Sequence, residues 1–387
     1  MKIGIPREVV AGENRVAIIP RTVKELRDNG HEVLVQSGAG GGAFFSDEEY
    51  EEAGATLISE ASRIYTEPDI LVKVNRLAQH EELGKHEADL LGKEIAVIGL
   101  LDPLANPETM KKLADRNVTT FSMEFLPRIT RAQSMDVLSS MSTVAGYLAV
   151  LIAAQNLPKF FPLLMTAAGT IPPANTLVIG AGVAGLQAIA TAKRLGGKVA
   201  AFDTRPAVKE QVESLGARFV EMELEEDAET EGGYAKEMTE EFYQKELEII
   251  GEEAKKADVI ITTALIFGKD APVLVTEDML RSMKNGSVVV DLAAVKGGNC
   301  EVTVPDETVI KHGVTVHGPL NLPTNLPKHA SQMYSKNLSN LLKELWKEES
   351  PEFDFENEVV DNTCIIHNGE IRNEMVSNAI SQKGDEV

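Results

Sequence analysis

The sequence predicts an α/β protein of two domains, each built on a parallel sheet covered by helices. Three observations carry this. Short apolar strands alternate with amphipathic helices along most of the chain, a glycine-rich strand-to-helix turn sits near its middle, and 387 residues with 43% hydrophobic content suffice for two sizeable cores. Alternation of this kind implies parallel strands, because each helix returns the chain to the edge of the sheet from which the next strand starts.

In the first half, strands are expected at Lys2 to Ile5, Glu32 to Gln36, Ile70 to Val74, Ile95 to Leu100 and Val118 to Met123. Between them, apolar residues at helical spacing predict helices at Val23 to Asn29, Asp47 to Ala53 and Pro107 to Arg116. The second half repeats the habit, with strands at Thr176 to Ile179, Val199 to Asp203, Arg218 to Glu221, Val259 to Thr262, Ser287 to Asp291 and Val314 to Val316, and helices at Ala184 to Leu195 and Ala207 to Leu215. A long helix through Ser139 to Gln155 is expected to lead into the second domain, and one at Gln332 to Lys347 to return to the first. The predicted division is 1–137 with 325–387, and 138–324, two domains joined by long helices with a cleft between them.

The stretch from Thr176 to Asp203, TLVIGAGVAGLQAIATAKRLGGKVAAFD, is the Rossmann-like footprint of a dinucleotide site. Gly180 makes the tight turn, Gly182 lets backbone approach a pyrophosphate, and Gly185 lets the next helix pack close. The helix opening at Val183 points its first amides and its dipole at the phosphates. Asp203 ends the following strand, where a carboxylate can accept hydrogen bonds from the adenine ribose hydroxyls. A 2′-phosphate about 4 Å from that carboxylate would meet repulsion of about 4 kcal/mol per unit charge at an effective dielectric near 20, so NAD is expected over NADP. Arg205, two residues on, is a candidate phosphate clamp, although a solvated loop cation is the simpler reading.

A formal charge of -22 argues against nucleic acid or an anionic membrane surface as a direct partner, and no basic patch is visible. The opening MKIGIPREVV has no apolar signal core, and Cys300 and Cys364 have no CxxC or metal-like spacing, so a cytoplasmic chain with reduced thiols is expected. Val137 to Gln155 is uncharged, but its serines, Thr143 and Gly146 make it too polar for a lipid-facing span, and it reads as a buried helix. Phe160 to Ala192 is broken by Pro172, Pro173 and turn glycines. The seven histidines offer no metal-binding spacing and read as surface or loop residues. Residues 221–242 hold ten acids and a Gly232-Gly233 pair followed by Tyr234 and Met238; this is either a solvated acidic loop or a lid.

The segments LPRITRAQSMDVLSSMSTVAGY, AAGTIPPANTLVIGAGVAGLQA, DTRPAVKEQVESLGA, GGYAKEM, TTALIFGKDAPVL and VDLAAVKGGNC closely resemble the NAD(H)-binding component of proton-translocating transhydrogenases. The resemblance covers nearly the whole chain. The wider family includes alanine dehydrogenases, which share the pattern IPREVVAGENRVAIIP; the RxxxxQxxD stretch selects transhydrogenase. The resemblance implies that Arg128, Gln133 and Asp136 surround the nicotinamide and its ribose, with Ser139 beside them. It implies a mobile loop bringing Gly233, Tyr234 and Met238 over bound NAD(H). Thr204, Ala264 and Leu265 join the cofactor-binding set on the same ground. It further implies hydride transfer to NADP(H) held by a partner subunit, a membrane-spanning partner that moves protons, a homodimer, and a peripheral position on the cytoplasmic face of the membrane.

The same residues can be read physically. An arginine, an amide and a carboxylate close in sequence can orient a carboxamide and ribose, and hydride passage between two nicotinamide rings needs position rather than a general acid or base. An amino-acid dehydrogenase must move protons, and the histidine and aspartate that the family's alanine dehydrogenases use for this fall here at about Gly99 and at Val295. Arg15 and Lys73, which would hold an amino acid's carboxylate in those relatives, remain and read as members of salt bridges. Two rivals stay open: a single-chain amino-acid dehydrogenase and a non-catalytic NAD-sensing module. Phe267 and Asp270 depart from prolines common in the family.

Overall fold

The computed structural model describes residues 1–222, 240–265, 269–346 and 352–384. They form two compact units, Met1–Met141 with Pro323–Val387 and Ser142–Leu322. In the first unit the strands are β1 (Lys2–Ile5), β2 (Glu32–Gln36), β3 (Thr56–Ile58), β4 (Ile70–Val72), β5 (Ala96–Gly99) and β6 (Thr119–Ser122). In the second they are β7 (Asn175–Ile179), β8 (Lys198–Phe202), β9 (Arg218–Phe219), β10 (Val259–Thr262), β11 (Val288–Asp291), β12 (Thr308–Lys311) and β13 (Val314–His317). The chain then adds β14 (Cys364–His367) and β15 (Glu370–Ile371) to the first sheet.

The first sheet has the order β15-β14-β6-β5-β4-β1-β2-β3 and the second β9-β8-β7-β10-β11-β13-β12. Strands β1 to β6 pair in parallel, as do β9, β8, β7, β10, β11 and β13. The expected α/β class with parallel sheets holds, with antiparallel additions at one edge of each. Both additions are two-residue hairpins with two successive positive-φ residues: His312 and Gly313 (φ 52° and 77°) join β12 to β13, and Asn368 and Gly369 (φ 51° and 76°) join β14 to β15. Such turns match the right-handed twist of the strands they join.

Central strands are buried on both faces, which is why Val259, Ile260, Ile261, Val288, Val289 and Val290 form unbroken apolar runs. In each sheet the strand order reverses once, between β1 and β4 in the first and between β7 and β10 in the second. Crevices at the carboxyl ends of such strand pairs are where open α/β sheets place ligands.

The long helix α1 (Val137–Asn156) is less buried than the sequence suggests. By length and composition it could cross a membrane, with a mean hydropathy of 1.8 and 39% of its apolar window buried. Within the second unit, one face supplies Ala149, Val150 and Ala153 to a core shared with Ala188, Ile189 and Ala192. Gly146 sits where a Cβ would lie 2.1 Å from the Ala184 carbonyl oxygen, so a glycine lets α1 seat against the start of the next helix. The returning helix spans Pro327–Glu344 and opens five residues earlier than expected, with Pro327 in its first turn. His80 corrects the surface reading of the histidines: it is 4% exposed and lies edge-on to Tyr65 at 5.9 Å. Cys300 and Cys364 are free and buried, and burial pushes their thiols up to about 11 and about 12.

Candidate functional site

The glycine turn lies at the strand-order reversal of the second unit. After β7, Gly180 takes φ +90°, and helix α2 (Val183–Arg194) starts at once with Gly182 as its N-cap and no side chain capping it. A Cβ on Gly185 would fall 1.8 Å from the Gly180 carbonyl oxygen, whereas one on Gly182 would meet nothing within 4 Å. Helix and strand are thus in contact at Gly185, while the approach to the first-turn amides of Val183, Ala184 and Gly185 stays clear at Gly182. Unsatisfied amides at a helix N-terminus bind anions, and this cradle fits a pyrophosphate.

Asp203 follows β8 with its side chain 6% exposed. Its Oδ2 accepts the Ala181 N–H at 2.7 Å, which fastens the glycine turn to the end of the next strand. The same carboxylate takes the Arg205 backbone N–H and guanidinium Nε at Oδ1 and the guanidinium Nη2 at Oδ2, all at 2.9 Å. The reading of Arg205 as a solvated cation is therefore corrected: it is only 17% exposed and forms a fork with Asp203. The pair is close to neutral, so a 2′-phosphate meets less repulsion than a bare carboxylate would exert. Beside it lies a hollow of about 250 Å³ lined by Asp203, Thr204, Pro206, Phe219 and Met222 among others.

Ala264 and Leu265 continue from β10, the neighbouring strand at the reversal. Asn299, wholly buried, holds this loop from both sides: its Oδ1 accepts the Ala264 N–H at 2.9 Å, and its Nδ2 donates to the carbonyls of Ala264 and Pro272. Asp291, also wholly buried, collects the Thr262 and Thr303 hydroxyls and the amides of Ala293 and Cys300. Sequence reasoning missed Asn299, although an amide next to two glycines in VKGGNC is a visible sign of a loop clamp. Gly233, Tyr234, Met238 and Phe267 lie outside the described residues.

The other candidates belong to the first unit and share one segment. Thr130–Met135 forms a short 3-10 helix anchored by Ala132 and Met135, which are buried, while Arg128 and Gln133 are exposed and Asp136 is half-buried. Asp136 caps α1, its carboxylate accepting the Ser139 N–H at 2.9 Å and the Ser139 hydroxyl at 2.6 Å. Asn337 and Asn340 of the returning helix both donate to the Ser134 carbonyl, at 2.9 and 3.0 Å, so the segment is pinned from outside. These two amides were not among the sequence candidates.

Arg15 and Lys73 lie at the first unit's own reversal, between the ends of β1 and β4. Lys73 is wholly buried, with its Nζ 2.6 Å from Glu87 and 3.5 Å from Glu8. Arg15 forks onto Glu13 at 2.6 and 2.7 Å, and Arg15 and the hydrogen bond from Asn75 help hold the Glu13 carboxyl below its ordinary range despite its burial. Both cations stand in salt bridges, as the sequence reading anticipated. A side chain at Gly99 would come within 2.9 Å of the Lys73 carbonyl oxygen, and Val295 is apolar and 58% exposed. Neither position supplies a group that handles protons.

Fold and site together define a dinucleotide-binding α/β protein. Models of the alanine dehydrogenase/PNT N-terminal and C-terminal domains match residues 4–145 and 149–374, and the chain belongs to that family. It is 48% identical to the first portion of NAD(P) transhydrogenase subunit alpha from Rhodospirillum rubrum, a separate chain there, over 96% of this chain and 97% of that one. Alanine dehydrogenase 2 of Staphylococcus aureus is 34% identical over 85% of this chain and 82% of that one. Among solved structures, the transhydrogenase from Sinorhizobium meliloti superposes with a TM-score of 0.82 at 41% identity, covering 96% of this chain and 98% of that one.

Proposed function

We propose that this chain is the NAD(H)-binding component of a proton-translocating transhydrogenase, delivering hydride to NADP⁺ held by a partner subunit. The observation that carries the reading is the glycine turn at the strand-order reversal, with clear amides at the start of α2 and Asp203 tied to Ala181. Bound NADH supplies the hydride. The chain's role is to hold and aim it: first-turn amides at Val183 and Gly185 take the pyrophosphate, Asp203 and Thr204 the adenine ribose, and Ala264 and Leu265 flank the dinucleotide. Arg128, Gln133, Asp136 and Ser139 orient the nicotinamide and its ribose, and Gly233, Tyr234 and Met238 close over them.

No proton need be moved at the reacting atoms, which agrees with the residues found at Gly99 and Val295 and sets the alanine-dehydrogenase reading second. Proton movement and the NADP(H) site are assigned to partner subunits, one of them membrane-spanning, with this chain peripheral on the cytoplasmic side. Greater identity to the transhydrogenase subunit than to the alanine dehydrogenase supports this choice.

The proposed homodimer has support in the antiparallel hairpin Leu164–Thr166 and Gly169–Ile171, a two-stranded sheet on which Met165 is 81% and neighbouring Leu163 53% exposed. A lone hairpin carrying apolar side chains is marginal in water and gains from being covered. Sedimentation of the chain as a monomer at micromolar concentration would remove the homodimer from the proposal.

Gln133→Asn tests the positioning role. The shorter amide should leave NADH affinity within about twofold, while transfer to NADP⁺ in the reconstituted complex falls by about tenfold to a hundredfold, since misplacement by about 1 Å costs on that order. Lost binding with normal transfer at saturation would show that Gln133 sets affinity instead.

A further inference from the structure

The helix Glu240–Ala254 of the second unit turns Ile250 and Ala254 into the core that holds Phe202 and Val220. Glu246 stands on that same inner face, one turn before Ile250, and is only 8% exposed. Among the described residues no cation pairs with it: the nearest charge is Asp203, and the guanidinium beside Asp203 is already forked onto it. On its own helix, Tyr243 and Glu240 are the neighbouring titratable groups, and the Tyr243 hydroxyl is committed to the Val273 carbonyl. An acid with no counter-ion, buried beside the residue assigned to the adenine ribose, is costly as an anion and serves no visible packing purpose.

We propose that Glu246 is a proton-binding residue at the adenosine end of the dinucleotide site, and that the chain takes up a proton there when it binds NADH. The inference rests on the NAD(H) reading above and goes beyond it. Burial, with Asp203 nearby, pushes the free Glu246 carboxyl up to about 7, within the range where the protein works. A bound dinucleotide brings a doubly negative pyrophosphate and displaces water from this end of the site. Both changes favour the neutral carboxyl, so they raise its affinity for a proton further. By linkage the protonated form then binds NADH more tightly: the affinity is level below about pH 7 and falls as pH rises, until the acid of the complex is also ionised.

NADH fluorescence titrations of the full chain from pH 6 to 9, with calorimetry at pH 7.5 in two buffers of different ionisation enthalpy, test this. A shift of one pKa unit between free and bound states is a tenfold change in affinity. The wild type should lose about tenfold in NADH affinity across the range and take up a sizeable fraction of a proton at pH 7.5. Glu246→Gln, neutral throughout, should bind at pH 9 about as tightly as the wild type at pH 6, with no proton uptake attributable to this site. Equal pH profiles for the two proteins, or no proton uptake by the wild type, would overturn the linkage while leaving the NAD(H) reading intact. Absence of NADH binding by the wild type at every pH would overturn the functional reading, and the inference with it. The wild-type calorimetry stands even if the variant folds poorly.

Discussion

Replacing Asp203 by alanine is expected to weaken NADH binding by about tenfold to a hundredfold and to turn the chain toward NADPH. The loss follows from removing an ionised acceptor of ribose hydroxyls, worth about 1.5–3 kcal/mol. The gain has a separate cause. Arg205 spends its guanidinium on Asp203 at 2.9 Å, and once released it can fork onto a 2′-phosphate. Because Asp203 and Arg205 are paired, the native preference for NAD depends on keeping that pair closed more than on the bare repulsion of one carboxylate. Asp203→Asn separates the two effects, since an asparagine can still accept the Ala181 N–H and preserve the glycine turn. Fluorescence titration of both variants with NADH and NADPH checks the assignment, and unchanged selectivity in the alanine variant would remove Asp203 and Arg205 from the ribose site.

The second large effect is on stability. Lys73→Ala is expected to destabilise the first unit by about 3–5 kcal/mol, because it leaves Glu8 and Glu87 buried without their cation. For a unit of this size the thermal midpoint should drop by roughly 10 °C. The deficit should depend on pH with a definite sign. Burial already raises the Glu8 carboxyl in the native protein against the pull of Lys73. Without Lys73 the folded state binds a proton at Glu8 more readily than the unfolded chain does, so the variant's stability falls as pH rises and its deficit is smallest in mild acid. Circular dichroism melts at pH 5.5 and 8 give the comparison. A deficit that is absent, or larger in acid, would show that these contacts do not carry the charge balance described.

Most of the two sheets was legible because their strands are short apolar runs buried on both faces; β1, β2 and β10 fall where the residue pattern places them. Strand β3 was missed because Thr56, Leu57 and Ile58 are too short a run to stand out beside the helix Asp47–Glu52. The β14–β15 hairpin carried a usable sign in Asn368-Gly369, a pair suited to two positive-φ residues, within a region assigned no structure. The glycine turn was legible to the residue because each glycine answers a local backbone demand. The partners of the site were not. That Arg205 folds onto Asp203, that Asn299 clamps Ala264, and that Asn337 and Asn340 pin Ser134 are facts of side-chain direction and of contacts distant in sequence, which periodicity does not encode. His80 was misread for the same reason: its polar sequence neighbours hid the packing against Tyr65.

The most direct test of the central claim follows NADH by absorbance and fluorescence with the purified chain. Pyruvate and ammonium are added first, and then the NADP⁺-loaded partner subunits of a transhydrogenase. The account predicts an NADH-binding signal that stays constant with pyruvate and ammonium, followed by NADPH formation once the partners are present. Steady consumption of NADH on adding pyruvate and ammonium, with no transfer to NADP⁺ afterwards, would contradict it and show a dehydrogenase complete in one chain.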